Sequence, residues 1–222
     1  MLDAVRPFVG LSDWHCHGWG IGWYENGKVH VEKEPVPAFS SQKFKATARV
    51  ARSKVFVCHL RKATRGEKTY HNSQPYHTDN WVFGHNGTVD RENLIAGLTN
   101  TNRVLEGETD SEVYFHWLLQ HLEKNGVAGL RFAIHEVRKR EFTALNFVLT
   151  DGRTLYAYWE ESPSAEPPRP DYYQLYYSEL AEPGRGVLVC SEQLDDRAWH
   201  PIPPRSLLIA SEQLPTQIIS FR

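Results

Sequence analysis

The chain has 222 residues, enough for one large domain or two small ones with a sizeable buried core. Its 25 basic and 27 acidic residues leave a formal charge of -2, which weighs against binding nucleic acid by phosphate neutralisation. Three scattered cysteines (Cys16, Cys58, Cys190), no signal-peptide start and no apolar run near the roughly 20 residues of a membrane helix lead to the expectation of a cytoplasmic globular protein, with neither nucleic acid nor membrane as partner.

In chain order, residues 1–13 have Leu2, Val5, Phe8 and Val9 at helical spacing. Trp19–Tyr24 reads as a strand with glycines at alternate positions, a sign that backbone or ligand comes close there. Glu25-Asn26-Gly27-Lys28 turns it into a second strand, Val29–Glu32, and Ser40–Ala51 reads as a serine-capped helix. Two apolar runs follow, Val55–Cys58 and Trp81–Phe83. Each delivers a polar cluster at its end, the first from His59 to Gly66 and the second Gly84-His85-Asn86-Gly87. Val89–Leu98 is expected to be helical and Asn100–Asn102 a loop. Thr109 or Asp110 then caps an amphipathic helix over Ser111–Glu123, and a second helix covers Val127–Arg140 with a weak point at Gly129. Thr143–Leu149 and Thr154–Trp159 form a hairpin, and residues 160–171 are a proline-rich loop. Tyr172–Leu180, Gly186–Ser191, Ser206–Ala210 and Gln217–Phe221 close the chain as strands. Strands, then helices, then strands again point to an α+β layered fold in a single domain over 1–222.

Eleven histidines raise the question of a metal, but none stands at the spacings that aim two ligands at one ion, and no metal or cofactor is expected. GxSxG and P-loop motifs are absent. Asn86-Gly87 alone would pass for a turn, and Arg61 beside Thr64 for a structural ion-pair site. At the ends of two neighbouring strands they offer more. Arg61 is a fork for a carboxylate, and the Asn86 amide with the Gly87 N–H supplies two donors for a developing oxyanion. Asp110, at the start of the long helix, could receive an ammonium group. Together these hold an α-amino acid by both charged ends, with donors over its side-chain carbonyl.

The segments HGWGIGWY, HLRKATRG, NSQPY, FGHNG and GETDSE, in this order, resemble the successive motifs of class II glutamine amidotransferases, especially the small stand-alone members. The resemblance covers residues 14 to 159, with a compatible tail at Val187–Glu192 and Trp199. It implies the four-layer αββα sandwich of N-terminal-nucleophile hydrolases, and glutamine or a γ-glutamyl compound as substrate. It assigns Arg61, Thr64, His85 and Asp110 to substrate binding and Asn86 and Gly87 to the oxyanion hole. Asn72 and Gln74 fall in a pocket-shaping loop. Freed ammonia would pass to a partner protein or simply be released. The family attacks with an N-terminal cysteine, whereas this chain begins Met1-Leu2, so the first strand and its nucleophile are expected to be missing. Three explanations stay open: a cysteine strand lies upstream, the protein binds without turnover, or Cys16 substitutes. His17 also stands where the family usually has an acidic residue. Cys58 and Cys190 are expected to be inert core residues.

Overall fold

The computed structural model describes residues 8–99, 103–180 and 186–221. Leu2, Val5 and the Asn100–Asn102 loop lie outside the described residues. The described chain starts with a helical turn at 8–10 and a 3-10 turn at Leu11–Asp13. It then enters strand β1 (Trp19–Glu25), which doubles back into β2 (Lys28–Glu34). Asn26 (φ 52°) and Gly27 (φ 75°) sit in the left-handed region that a two-residue hairpin turn requires. Ser41 caps helix α1 (Gln42–Val50), its hydroxyl accepting from the Phe44 N–H at 2.9 Å. Phe44 then packs under Trp19, Ile21 and Trp23. Strand β3 (Phe56–Leu60) pairs antiparallel with β1, completing a sheet of order β2-β1-β3.

A second sheet has the order β12-β11-β7-β6-β5-β4. Its members are β4 (Tyr76–Thr78), β5 (Trp81–Asn86), β6 (Asn146–Thr150), β7 (Thr154–Trp159), β11 (Ser206–Ser211) and β12 (Gln217–Ser220). One face of this sheet is covered by helices α2 (Arg91–Ile95) and α3 (Asp110–Arg138), with Phe83, Phe147, Leu149 and Tyr158 meeting Phe115, Leu118, Leu130 and Ile134. Helix α3 is two helical arms. The helical path breaks at Asn125 (φ -138°) and Gly126 (φ 59°), not at Gly129, and the chain reverses on itself. The Trp117 indole donates to the Ala133 carbonyl at 3.1 Å, and a Cβ on Gly129 would lie 1.8 Å from the His121 carbonyl oxygen. Gly129 therefore lets the arms touch, while Gly126 makes the turn.

A third sheet, β10-β8-β9, comprises β8 (Tyr176–Leu180), β9 (Gly186–Cys190) and β10 (His200–Pro201). Both small sheets lie against the face of the large one that the helices leave free. Val57 of β3 meets Gly84, and Tyr177, Val187 and Val189 pack on Val148, Ala157 and Leu208. The layers are thus α1, the two small sheets, the large sheet, and α2 with α3, matching the αββα sandwich expected from the motifs. The glycines of β1 serve close approach by backbone: a Cβ on Gly20 would sit 2.2 Å from the Gln74 carbonyl oxygen. Glu160 opens the proline-rich stretch but is buried, held by Arg138 at 2.6 Å and Arg205 at 2.8 Å. Cys58 departs from its expected place in the core. It is exposed, although burial pushes its thiol up to about 12. On β9, Cys190 is also pushed up to about 12, by burial first and then by Cys58. The outer strands β3 and β9 therefore run near each other. Among the described residues no helix is long and apolar enough to cross a membrane.

Candidate active site

Arg61 follows β3 and is 4% exposed. Its N–H donates to the Gly18 carbonyl at 2.8 Å, and its carbonyl accepts from His17 at 2.9 Å, which pins the strand end to the entry of β1. The guanidinium folds the following loop around itself, donating to the carbonyls of Glu67 and Arg65 at 2.9 Å and Gly66 at 3.3 Å. Two of its five N–H donors remain without a partner among the described residues. Thr64 lies exposed in that loop, its hydroxyl making no hydrogen bond among the described residues. His17 takes part as an acceptor, its Nδ1 receiving the Ala63 N–H at 2.9 Å.

Strand β5 runs through to Asn86, so the second polar cluster is the end of the strand itself. Alternation then separates its residues. His85 turns toward the helices. Its Nδ1 accepts from the Ser111 hydroxyl at 2.9 Å while Nε2–H donates to the Ala144 carbonyl at 3.1 Å. Burial lowers its pKa, and the Asp110 carboxylate pulls the other way. Asn86 faces the space between the sheets, and its side chain makes no hydrogen bond among the described residues. Gly87 (φ 148°) lies in a region that L-residues avoid, and a Cβ there would sit 2.1 Å from the Ala144 carbonyl oxygen. The sequence alone groups His85 and Asn86 in one cluster. The structure sets them on opposite faces.

Asp110 begins α3 behind the Thr109 cap, where the helix dipole favours a negative charge. One carboxylate oxygen accepts from the Val89 N–H at 2.8 Å, two residues beyond Gly87. The carboxylate is 3% exposed and has no cation within ion-pair distance among the described residues. Asn72 ties this corner to the Arg61 loop: its Nδ2 donates to the Glu67 carbonyl at 3.2 Å and its Oδ1 accepts from Glu108 at 2.8 Å. Gln74 acts as a strand substitute beside β5. Its amide donates to the His85 carbonyl at 3.0 Å and accepts from the His85 N–H at 2.6 Å. Arg61, Asn86-Gly87 and Asp110 are thus drawn into one corner of the molecule, and Thr64 stands at its outer edge.

Two polar residues of this corner are given no role by sequence reasoning, although His59 opens the first polar cluster. His59, the penultimate residue of β3, lies beside the His85 backbone; burial holds its pKa down at about 3, and its Nδ1 is buried without a partner. Asn146 is directly opposite Asn86 across β5 and β6; its amide donates to the Tyr173 carbonyl, leaving Oδ1 buried and unpaired. An asparagine at the start of an apolar strand is the available hint, but only the register reveals its neighbour. Among the described residues no three His, Cys, Asp or Glu side chains gather to hold a metal.

Comparison with known proteins places this corner in context. The model of the glutamine amidotransferases class-II family matches residues 2–218. A putative glutamine amidotransferase of Escherichia coli, YafJ, is 32% identical over 70% of this chain and 68% of its own length. A gamma-glutamyl-hercynylcysteine sulfoxide hydrolase of Mycobacterium tuberculosis is 26% identical over 90% of the chain and 77% of its own. A 31% identical match to an uncharacterized protein of Methanocaldococcus jannaschii spans 70% of the chain but only 46% of that relative. Among solved structures, a glutamine aminotransferase class-II domain protein from Silicibacter pomeroyi superposes with a TM-score of 0.73 at 25% identity, covering 91% of both chains.

Proposed function

This chain belongs to the class-II glutamine amidotransferases, and on that premise we propose that its pocket binds glutamine or another γ-glutamyl amide for cleavage of the side-chain amide. The observation that carries the reading is the end of β5. Asn86 presents an uncommitted side-chain amide beside a glycine that no other residue could replace without striking the Ala144 backbone. The Asn86 amide and the Gly87 N–H, adjacent at the end of a rigid strand, would suit an oxygen that gains charge as a carbonyl becomes tetrahedral. Asp110 would take the α-ammonium, its buried charge lacking a cation until substrate arrives, and Arg61 would give its two remaining donors to the α-carboxylate.

The chemistry is acyl transfer. A cysteine thiolate attacks the γ-carbonyl carbon, and the C=O electron pair moves onto oxygen, where Asn86 and Gly87 hold it. Collapse breaks the C–N bond and the amine leaves with a proton from the general acid. Water then attacks the γ-glutamyl thioester, releasing glutamate and restoring the thiol. Ammonia goes to solvent or to an acceptor protein. Cys58 and Cys190 are unsuited to the attack, because thiols pushed up to about 12 supply little thiolate at neutral pH. We place the nucleophile on a terminal strand lying between β3 and β9, with its own α-amine as base (about 7.7–8.0 when unperturbed). The second reading is an amino-acid-binding protein without turnover.

Glutamate release from glutamine and from γ-glutamyl amides, followed alongside binding in the 222-residue chain and in one extended at its start by a cysteine-led strand, separates these readings. Release by the extended chain alone supports the terminal-strand reading, and release by the 222-residue chain that Cys16→Ala abolishes moves the nucleophile to Cys16. Binding without release in both leaves the receptor alone. Neither binding nor release refutes the γ-glutamyl site.

A further inference from the structure

His85 is 2% exposed and lies on the face of β5 opposite Asn86, so it does not reach a ligand held between the sheets. Its ring is nevertheless fully committed. The Ala144 carbonyl can only accept, so Nε2 carries the proton and Nδ1 is left to accept from the Ser111 hydroxyl. Burial keeps the ring neutral against the pull of the Asp110 carboxylate, which preserves that arrangement. Phe83 stacks along the ring at 6.2 Å and Tyr114 meets it edge-on at 5.0 Å, which holds the imidazole in one orientation. The two hydrogen-bond partners belong to different halves of the corner. Ala144 carries the carbonyl that stands against Gly87, with its neighbour Thr143 bonded to both backbone groups of Thr88 at 2.9 and 3.0 Å. Ser111 follows Asp110 in the first turn of α3.

Resting on the γ-glutamyl reading above, we propose that His85 is a positioning residue that sets the oxyanion donors and the ammonium acceptor in register with each other. Through Ala144 it fixes the path of the chain at Gly87. Through Ser111 it fixes the first turn of α3, and Asp110 with it. The requirement comes from the ligand. Only two methylene groups separate the α-carbon of a γ-glutamyl group from its γ-carbonyl, so a site that grips both ends needs its grips at a fixed spacing. A rigid, neutral ring bonded to both sides supplies that spacing without touching the ligand.

Two ligands read the two halves apart by calorimetry. L-Glutamine uses both, whereas L-2-amino-5-methylhexanoate, which has methyl groups in place of the amide, uses only Arg61 and Asp110. The short amide of His85→Asn reaches Ser111 but not Ala144; the longer one of His85→Gln reaches Ala144 but gives Ser111 no acceptor. His85→Asn should lose about three- to tenfold in glutamine affinity, the scale of one hydrogen bond, and hold the analogue within about twofold. His85→Gln should weaken both ligands by about the same factor, as should Ser111→Ala, and the two substitutions together should weaken them no further than either alone. If His85→Asn weakens both ligands alike, or neither histidine variant weakens either ligand, the ring only fills space; that result overturns the proposal while leaving the γ-glutamyl site intact. If neither histidine variant folds, Ser111→Ala decides: a loss shared by both ligands supports the proposal and no loss overturns it. Binding of neither ligand by the unmodified chain refutes the γ-glutamyl site, and this proposal with it.

Discussion

Gly87→Ala tests whether the end of β5 is as tightly built as its geometry requires. Two costs add. The first is conformational: φ at 148° is disfavoured for any residue with a Cβ, at about 1–3 kcal/mol. The second is steric. The new methyl would lie 2.1 Å from the Ala144 oxygen, 2.7 Å from its carbonyl carbon and 3.1 Å from its Cα. These are backbone atoms and cannot rotate aside, so overpacking adds about 1–3 kcal/mol. Gly27→Ala supplies the control, since Gly27 has φ 75° and nothing within 4 Å of an added methyl, and so incurs only the first cost. Urea titration followed by circular dichroism should show Gly87→Ala less stable than Gly27→Ala by about 1–3 kcal/mol, roughly a 1 M difference in midpoint. Coincident midpoints for the two variants would show that β5 and Ala144 separate easily, and the preorganised donor pair would lose its structural basis.

The remaining expectations concern the groups around that strand. His59 titrates near 3 in the folded chain and near 6.5 unfolded, so the unfolded state binds the extra proton between those values. Its stabilising contribution is complete above about 6.5 and falls as pH drops toward 3, at up to ~1.4 kcal/mol per pH unit. In urea titrations His59→Asn should therefore lose less stability between about pH 7 and pH 5 than the unmodified chain; equal losses would refute the assignment. Gln74→Leu strands the His85 N–H and C=O and should cost about 2–5 kcal/mol, against little change for a substitution at exposed Lys28. Arg61→Ala should loosen the 61–68 loop as well as remove a carboxylate partner, because three carbonyls lose their donor. Faster proteolysis of that loop would accompany it, and unchanged proteolysis would show that the guanidinium does not hold the loop.

Much of the architecture can be read from local pattern. The Asn26-Gly27 turn, the Ser41 cap and the apolar stripe of Val113, Leu118 and Leu122 each declare their element within a few residues. Pattern ends one helix at Glu123 and starts the next at Val127, which is where the path breaks, but it also marks Gly129 as a weak point; only tertiary contact shows that Gly126 turns the chain while Gly129 allows a close approach. Strands β4 and β10, three and two residues long, have no periodicity to detect. The site is legible as residue types and motif order. Its pairing is not: Asn146 opposite Asn86, and Gln74 against His85, depend on contacts between distant segments. Strand alternation separates His85 from Asn86 only when β5 is extended through both.

The central claim is that this corner holds an amino acid by its two charged ends, and Asp110→Asn examines it with least disturbance to the fold. Asparagine keeps an oxygen to accept the Val89 N–H at 2.8 Å and removes only the charge. Calorimetric titration with L-glutamine should show binding by the unmodified chain and a loss of at least about tenfold in Asp110→Asn, the usual scale for a buried charge contact, with the thermal midpoint little changed. Equal affinity in the two proteins would contradict the account.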